Sequence, residues 1–375
     1  MIPFNRASFD GKEFSYLADA VSDGHVSGNG PFTKRAEAAL EQVHGTGRTL
    51  LTTSCTHALE LAALLLNLKP GDEVIVPSFT FVSTAAAFML HGATPVFVDV
   101  RDDTLNLCPE LTEAAISPRT RAICLVHYAG VAATPDVFRE IADRHGLLLV
   151  EDNAHGLGGT HHGRALGTFG QMSTLSFQET KNITCGEGGA LHLNDLEFLE
   201  RAEILREKGT DRSRFLRGQV DKYTWVDIGS SWVMSDLLAS VLVGQLERLD
   251  EIQLRRDSIW TRFHQAFADW APRHDVRAPV VHVGCGHTSH MYHLRLPSLD
   301  VRTRFIDHLR DRDVMAVFHY QPLHLSAVGL RLGGRLGQHP VSEEAGNTLV
   351  RLPLFVGLTD AQVDHIIESV IEFVP

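Results

Sequence analysis

The sequence predicts an α/β protein: a large domain with a mostly parallel central sheet flanked by helices, then a smaller C-terminal α+β domain. Three observations predict it. Between residues 49 and 195, short apolar runs alternate with helical segments, the pattern of strand–crossover–strand units. The chain has 375 residues, too many for one ordinary core. Beyond residue 195 the alternation gives way to long helical stretches and then to a second, shorter mixed series. The expected large domain covers residues 1–245, N-terminal segment included, and the small domain covers residues 246–375.

Each element has its own signal. "TLLTTS" (49–54) reads as a strand and "THALELAALLLNL" (56–68) as a helix. "DEVIVPS" (72–78) is a strand; "FVSTAAAFMLHG" (81–92) is a helix ending at glycine. "TPVFVDV" (94–100) is a strand and "CPELTEAAI" (108–116) a short helix. "RAICLVHY" (121–128) is a strand, and "TPDVFREIADRHG" (134–146) a helix with Thr134 as its N-cap. "LLLVED" (147–152) is a strand with an acid at its tip. Sheets of this kind bind ligands outside the carboxyl ends of their strands, so the residues just after each strand matter most. Farther on, "LEFLERAEILREKG" (196–209) is helical and residues 211–233 look irregular. One long helical stretch is expected from about Ser235 to Trp270, with Leu238, Val241, Leu242, Leu246 and Leu249 at helical spacing. "SHMYHLRLP", "TRFIDHLRDRD" and "VMAVFHY" then alternate strand, helix and strand.

Composition excludes several function classes. A formal net charge of -12 without a Lys/Arg-rich tract argues against nucleic acid or an anionic membrane as the main partner. The longest apolar stretch, "ALELAALLLNL", is broken by Glu60 and too short to span a bilayer. The N-terminus lacks an apolar signal core, so the expected location is the cytoplasm. The 5 cysteines have no CxxC spacing, which disfavours disulfides and structural zinc. The 21 histidines include no H-E-x-x-H pair, so no metal site is expected. "GLGGTHHG" misses the G-x-G-x-x-G spacing, and no G-x-S-x-G elbow occurs.

Four features remain. "TTSCTHALE" (52–60) is a strand-to-helix junction whose free N–H groups and helix dipole suit an anion, although Ser54 or Thr56 as an ordinary N-cap explains it equally well. Asp152 at a buried strand end needs a partner: a helix cap, a salt bridge, or a protonated ring nitrogen. Phe79 and Phe81 follow a strand end and either fill the core or cover a flat heterocycle. Lys181, flanked by Glu179 and Glu187, either snorkels to water or loses proton affinity in an apolar pocket and becomes a nucleophile toward carbonyls. All four sit at or beyond strand ends of one sheet. An anion nest, a carboxylate, an aromatic lid and a lysine together are what pyridoxal phosphate requires.

These residues also carry a resemblance. "GDEVIVPSFTFVSTAAAFMLHGATPVFVDV", "VHYAG", "VEDNAHGLG", "SFQETKNITCGEGG" and "RLPLF" are similar to the DegT/StrS family of sugar-nucleotide aminotransferases, which are fold-type-I pyridoxal phosphate enzymes. The likeness runs nearly end to end. A narrower likeness in "SFQETKN", "REKGT", "RGQVDKYTW", "DIGSS", "MSD" and "MAVFHYQPLH" implies a dTDP-4-keto-6-deoxy-D-glucose 4-aminotransferase.

The resemblance assigns roles by position. Lys181 matches the lysine that forms a Schiff base with the cofactor and then acts as acid and base; Asp152 matches the acid on the pyridine nitrogen. His155 matches the residue near the cofactor ring, and Phe81 takes the place of the aromatic that stacks on it. Ser176, with Cys55 and Thr56, matches the phosphate site. Asn29, Arg217, Tyr223, His319 and Tyr320 are the expected substrate residues, with Lys34, Arg35 and Lys222 as further cations for a diphosphate. Two departures stand out. Val233 occupies the place of an asparagine that many members donate across the dimer, and Asn153 stands where alanine is usual.

What the resemblance implies is a homodimer with its site at the subunit interface. L-glutamate gives its amine to the cofactor, leaving pyridoxamine phosphate, which aminates the C4 ketone of a dTDP-sugar. Transfer to a C3 ketone is the alternative. A family relative with histidine in place of the lysine dehydrates sugars, and the presence of Lys181 disfavours that reading. The acidic charge disfavours a ligand-binding module joined to a DNA-binding domain.

Overall fold

The structure, a computed structural model, describes residues 1–374. Its main sheet has 7 strands. They are β1 (Arg48–Thr52), β2 (Glu73–Pro77), β3 (Thr94–Val98), β4 (Thr120–Val126), β5 (Leu148–Asp152), β6 (Met172–Ser176) and β7 (Gly189–Leu193). The spatial order is β1-β7-β6-β5-β4-β2-β3. All neighbours run parallel except β7, which pairs antiparallel with both β1 and β6. The expected mostly parallel α/β architecture is what forms.

Strand alternation builds a core on each face of this sheet. Val74, Val76, Cys124 and Val150 point to one side, and Ile75, Ile123, Leu125 and Leu149 to the other. Helices α1 (Glu13–Ser22), α2 (Pro31–His44), α3 (Cys55–Leu65), α4 (Ser83–Leu90), α5 (Pro109–Ala114), α6 (Pro135–His145) and α7 (Leu199–Arg206) surround it. Leu59 and Ala62 of α3 and Phe88 of α4 fill the first side; Phe138 and Ile141 of α6 fill the second. Each fully buried side chain of this size stabilises the fold by about 1.5–3 kcal/mol.

Two expectations fail locally. Thr134 precedes α6 but takes φ 48°, outside the extended region from which an N-cap side chain accepts the N–H of the second or third helical residue, and its side chain caps nothing. The helix expected from Ser235 to Trp270 is two helices, α8 (Asp236–Leu246) and α9 (Leu249–Phe267), with Arg248 at φ -105°, ψ 10° between them. The break lets α8 pack with α1, α2 and the sheet while α9 runs on into the second core.

That second core surrounds a small sheet of β8 (Tyr292–Arg295), β9 (Val317–Phe318) and β10 (Leu349–Leu352), ordered β8-β10-β9 and antiparallel. The turns of α9 carrying Ile259, Phe263 and Phe267 pack there with α10 (Leu299–Arg310), α11 (Pro340–Thr348) and α12 (Asp360–Ile371). Ile2 joins this core and pairs with Val314, so the N-terminal residues reach the C-terminal half. No helix among the described residues is long and apolar enough to cross a membrane.

Candidate active site

A cavity of about 960 Å³ opens at the carboxyl ends of the parallel strands. The segments following β1, β2, β5 and β6 all contribute to its wall, through Ser54–Thr56, Thr80–Phe81, Asp152–His155 and Ser176–Lys181. The small sheet closes the opposite side with His319, Tyr320 and Arg351.

Asp152 ends β5 and is buried. Thr84 Oγ1 donates to its Oδ2 at 2.7 Å, and the Ala154 N–H donates to Oδ1 at 3.3 Å. Burial raises its pKa, and the Thr84 bond opposes that rise. Its neighbour Glu151 points to the other face, as alternation demands, and accepts from His127 Nε2 and from the N–H groups of Gly167, Phe169 and Gly170. The acidic pair in "VED" therefore divides its work: one carboxylate is consumed by structure and one faces the cavity.

Lys181 lies on the wall in the turn after β6. Burial lowers its proton affinity; Cys55 and Asp152 oppose the shift, and Arg351 adds to it. The turn is closed by Gln178, whose Oε1 accepts from Thr180 N and Oγ1 at 2.9 and 2.6 Å and whose carbonyl accepts from Lys181 N at 2.9 Å. The Glu179 carbonyl accepts from Asn5 Nδ2. These contacts give Gln178 and Glu179 a physical role, holding the lysine in place.

His155 is buried, its ring stacked on His290 at 4.2 Å. Burial, with Lys181 and Arg351 nearby, drives its pKa well below the ordinary value, so the imidazole is neutral. Asn182 holds the segment that carries His290: its Oδ1 is 2.9 Å from His290 Nδ1 and its Nδ2 donates to Thr288 O at 2.7 Å. Phe81 is 56% exposed and presents its ring to the cavity, whereas Phe79 is buried in the core.

At the other end, α3 begins at Cys55 with Ser54 as its cap, the Ser54 Oγ accepting from His57 N at 3.1 Å. The first-turn N–H groups of Cys55 and Thr56 open on the cavity without helical partners. Gly189 permits this: a Cβ there would lie 2.3 Å from Cys55 N. The Ser176 side chain lines the same end, and Thr56 Oγ1 meets Ser83 Oγ at 2.8 Å.

Comparison with known proteins agrees with this geometry. The DegT/DnrJ/EryC1/StrS aminotransferase family model matches residues 8–371. The chain belongs to that family. The spore coat polysaccharide biosynthesis protein SpsC of Bacillus subtilis (strain 168) is 31% identical, covering 100% of this chain and 97% of the relative. A putative sugar aminotransferase, Spr1654 from Streptococcus pneumoniae in its PMP form, superposes with a TM-score of 0.92 at 28% identity, covering 99% of this chain and 98% of that one. S. venezuelae DesV, in complex with a ketimine intermediate, superposes with a TM-score of 0.89 at 32% identity, covering 99% and 100%.

This DegT/StrS aminotransferase is accordingly a pyridoxal 5′-phosphate enzyme, and its residues fit that cofactor. The helix N-terminus and hydroxyls suit the phosphate, Asp152 the ring nitrogen, Phe81 and His155 the ring, and the buried amine of Lys181 the aldehyde. Among the described residues no group of three or more His, Cys, Asp or Glu side chains is placed to hold a metal.

The expected substrate residues divide. His319 and Tyr320 are on the cavity wall, and Tyr128 OH fixes His319 Nδ1 at 2.9 Å. Asn29, Arg217 and Tyr223 are not on it. Asn29 accepts from Arg206 and reaches Glu207; Arg217 pairs with Glu203; Tyr223 packs beside Phe215. Of the further cations, Arg35 pairs with Glu247, and neither Lys34 nor Lys222 reaches the wall. Val233 packs against Gly28, where a Cβ would lie 2.1 Å from its Cγ1. Asn153 ties its turn to Leu166 O at 3.0 Å.

Sequence reasoning missed Thr84, Asn182, His290, Phe4 and Arg351. Thr84, His290, Phe4 and Arg351 lie far along the chain from Lys181, and Asn182, its chain neighbour, gains a role only when His290 packs beside it. The quoted motifs that include Thr84, Asn182 and Arg351 carried a signal, and none of them carried a role for these residues.

Proposed function

We propose that this aminotransferase moves the amino group of L-glutamate to the C4 ketone of dTDP-4-keto-6-deoxy-D-glucose, giving a dTDP-4-amino-4,6-dideoxyhexose, by a two-half ping-pong reaction. The observation that carries this reading is the placement of Lys181 and Asp152 on one cavity wall, the amine depressed and the acid enclosed. A cavity of about 960 Å³ supports a substrate larger than an amino acid.

The bound cofactor supplies an electron sink for the carbanion formed at the donor's α-carbon. The chain's own residues do the rest. Lys181 Nζ, poorly protonated through burial, removes the α-proton and returns it, as base and then acid. Asp152 Oδ1 holds a proton on the ring nitrogen while Thr84 fixes Oδ2. His155 covers the ring as a neutral imidazole held by His290. The N–H groups of Cys55 and Thr56, with Ser176, hold the phosphate. His319 and Tyr320 face the sugar from the small-sheet side, on a domain comprising residues 246–375.

Asn29, Arg217 and Tyr223 act on the sugar nucleotide only if a second copy brings them to the cavity mouth. The exposed run Phe215, Leu216, Tyr223, Trp225, Val226 and Ile228 supports a homodimer built there. Sedimentation of the holoenzyme tests it; a monomer at micromolar concentration overturns it.

The activity test is direct. Purified holoenzyme is incubated with L-glutamate and dTDP-4-keto-6-deoxy-D-glucose, and the product is read by NMR. Nitrogen on C4 is expected, and the same spectrum separates the gluco from the galacto product. Conversion of a 3-keto isomer instead, with the 4-keto sugar untouched, replaces this reading with a C3 aminotransferase.

A further inference from the structure

A second, smaller cavity adjoins the Lys181 turn, and Lys181 lines both. Its volume is about 20 Å³, above the roughly 10–15 Å³ that one water-sized occupant needs. Three parts of the chain meet around it: the N-terminal segment at Arg6 and Ser8, the Lys181 turn at Glu179 and Asn182, and helices α8 and α9 at Gln245 and Arg256. Asn5 Nδ2 donates to Glu179 O at 2.9 Å and Gln245 Nε2 donates to Ser8 O at 2.8 Å, so these walls are tied to one another.

Charge on these walls is unbalanced. Arg6, Lys181 and Arg256 stand against one acid, Glu179, and none of the three cations forms an ion pair among the described residues. Arg256 is 3% exposed. Its Nε donates to Ser289 O at 3.2 Å and its Nη2 to His290 O at 2.5 Å, which leaves Nη1 without a partner among the described residues. Arg206 and Arg295 are as deeply buried and also leave nitrogens without a hydrogen bond. The difference is the counter-charge. Arg206 has the Glu37 carboxylate at 3.0 Å, and Arg295 has Asp102 at 2.8 Å and Glu344 at 3.0 Å. Arg256 has none. Its neighbour Asp257 is engaged elsewhere, Oδ1 accepting from Ser289 Oγ at 2.5 Å and from Gln253 Nε2 at 2.8 Å. Burial lowers the Arg256 pKa to about 9, so the guanidinium keeps its charge at neutral pH.

Size and charge select the occupant. The carbonyls on Nε and Nη2 satisfy hydrogen bonds but carry no net charge, so the buried cation stays uncompensated. Room for one water-sized body excludes a phosphate, a sulfate or a carboxylic acid. Two guanidinium groups on the wall exclude a metal cation by like-charge repulsion. Water matches the volume and leaves the charge unbalanced. A halide matches both: it is a single spherical atom, carries one negative charge and asks only for donors.

We propose that this smaller cavity binds a single chloride ion, seated between Arg256 and Arg6, which joins the N-terminal segment and α9 to the turn carrying Lys181. The inference does not rest on which amino donor or which sugar the enzyme uses, because a cavity of this size admits neither.

Two measurements on the holoenzyme test it together. Crystals grown without halide are soaked in sodium bromide, and an anomalous bromine peak is expected in the cavity beside Arg256 Nη1. In solution the holoenzyme is melted at constant ionic strength while chloride replaces gluconate, an anion too large for the cavity. Chloride at about ten times its dissociation constant should raise the melting temperature by about 2 °C. Arg256→Met should melt at the same temperature in both salts. A cavity holding only water, or the Glu179 carboxylate turned onto Arg256, overturns the proposal. A bromine peak with no chloride dependence of melting marks an adventitious ion only and also overturns it, as does a full chloride response in Arg256→Met. If Arg256→Met fails to fold, Arg6→Met is decisive: a chloride response equal to wild type overturns the proposal, and a weakened one sustains it.

Discussion

Thr84 Oγ1 donates a 2.7 Å hydrogen bond to Asp152 Oδ2, joining the first turn of α4 to the tip of β5. Thr80 Oγ1 lies 3.0 Å from Thr84 Oγ1, so the hydroxyls form a short chain behind the carboxylate. One oxygen of Asp152 is thereby fixed by the hydroxyl chain, and the other accepts from Ala154 N at 3.3 Å. Thr84→Val keeps the shape and removes the donor, leaving a buried carboxylate less stable as an anion. The expected outcome is a cofactor dissociation constant raised about tenfold, measured by fluorescence titration of the apo form. An unchanged constant would detach Asp152 from the ring nitrogen.

Lys181→Ala should abolish turnover and the visible band of the bound cofactor while far-UV circular dichroism stays unchanged. Among the described residues Lys181 makes no side-chain hydrogen bond, so its loss costs chemistry rather than structure. Amination of a keto-sugar nucleotide at near wild-type rate would refute its role.

Buried histidines set the acid limit of stability. Burial pushes both His192 and His293 down to about 3 from 6.5. The unfolded chain therefore takes up protons on them below about pH 6.5, and the folded protein does so only near pH 3. Their contribution is complete above the unfolded value and falls as the pH drops, by about 1.4 kcal/mol per pH unit for each histidine. Urea midpoints should decline steadily between pH 6.5 and pH 5. His192→Asn should flatten that decline by one proton; an unaltered slope would show that His192 is accessible to protons in the native state.

Asp236 opens α8 and also caps α2: Oδ1 accepts from Thr33 N and Oγ1, each at 2.7 Å, and Oδ2 from Phe32 N at 3.1 Å. Asp236→Ala leaves three buried donors without an acceptor. A loss of about 2–5 kcal/mol is expected in urea unfolding at neutral pH. A loss under 1 kcal/mol would mean that water replaces the carboxylate.

By itself the sequence determined the alternation of strands and helices, and with it the sheet and the end at which ligands bind. Period-2 and helical patterns are local, and β1 to β5 express them directly in "TLLT", "EVIVP", "TPVFV", "TRAICLV" and "LLVED". Lys181, Asp152, Phe81 and the Cys55–Thr56 turn were read from strand ends and Ser176 from the family resemblance, and all of them line the cavity. Tertiary structure decided what locality could not encode. The antiparallel course of β7 and the break at Arg248 arise where chain segments must turn to meet two cores. His290 reaches His155, Thr84 reaches Asp152, and Arg351 reaches the cavity across 135, 68 and 170 positions from His155, Asp152 and Lys181 respectively. No periodicity links residues so far apart; only packing of the small sheet against the strand ends brings their charges and rings to one cavity.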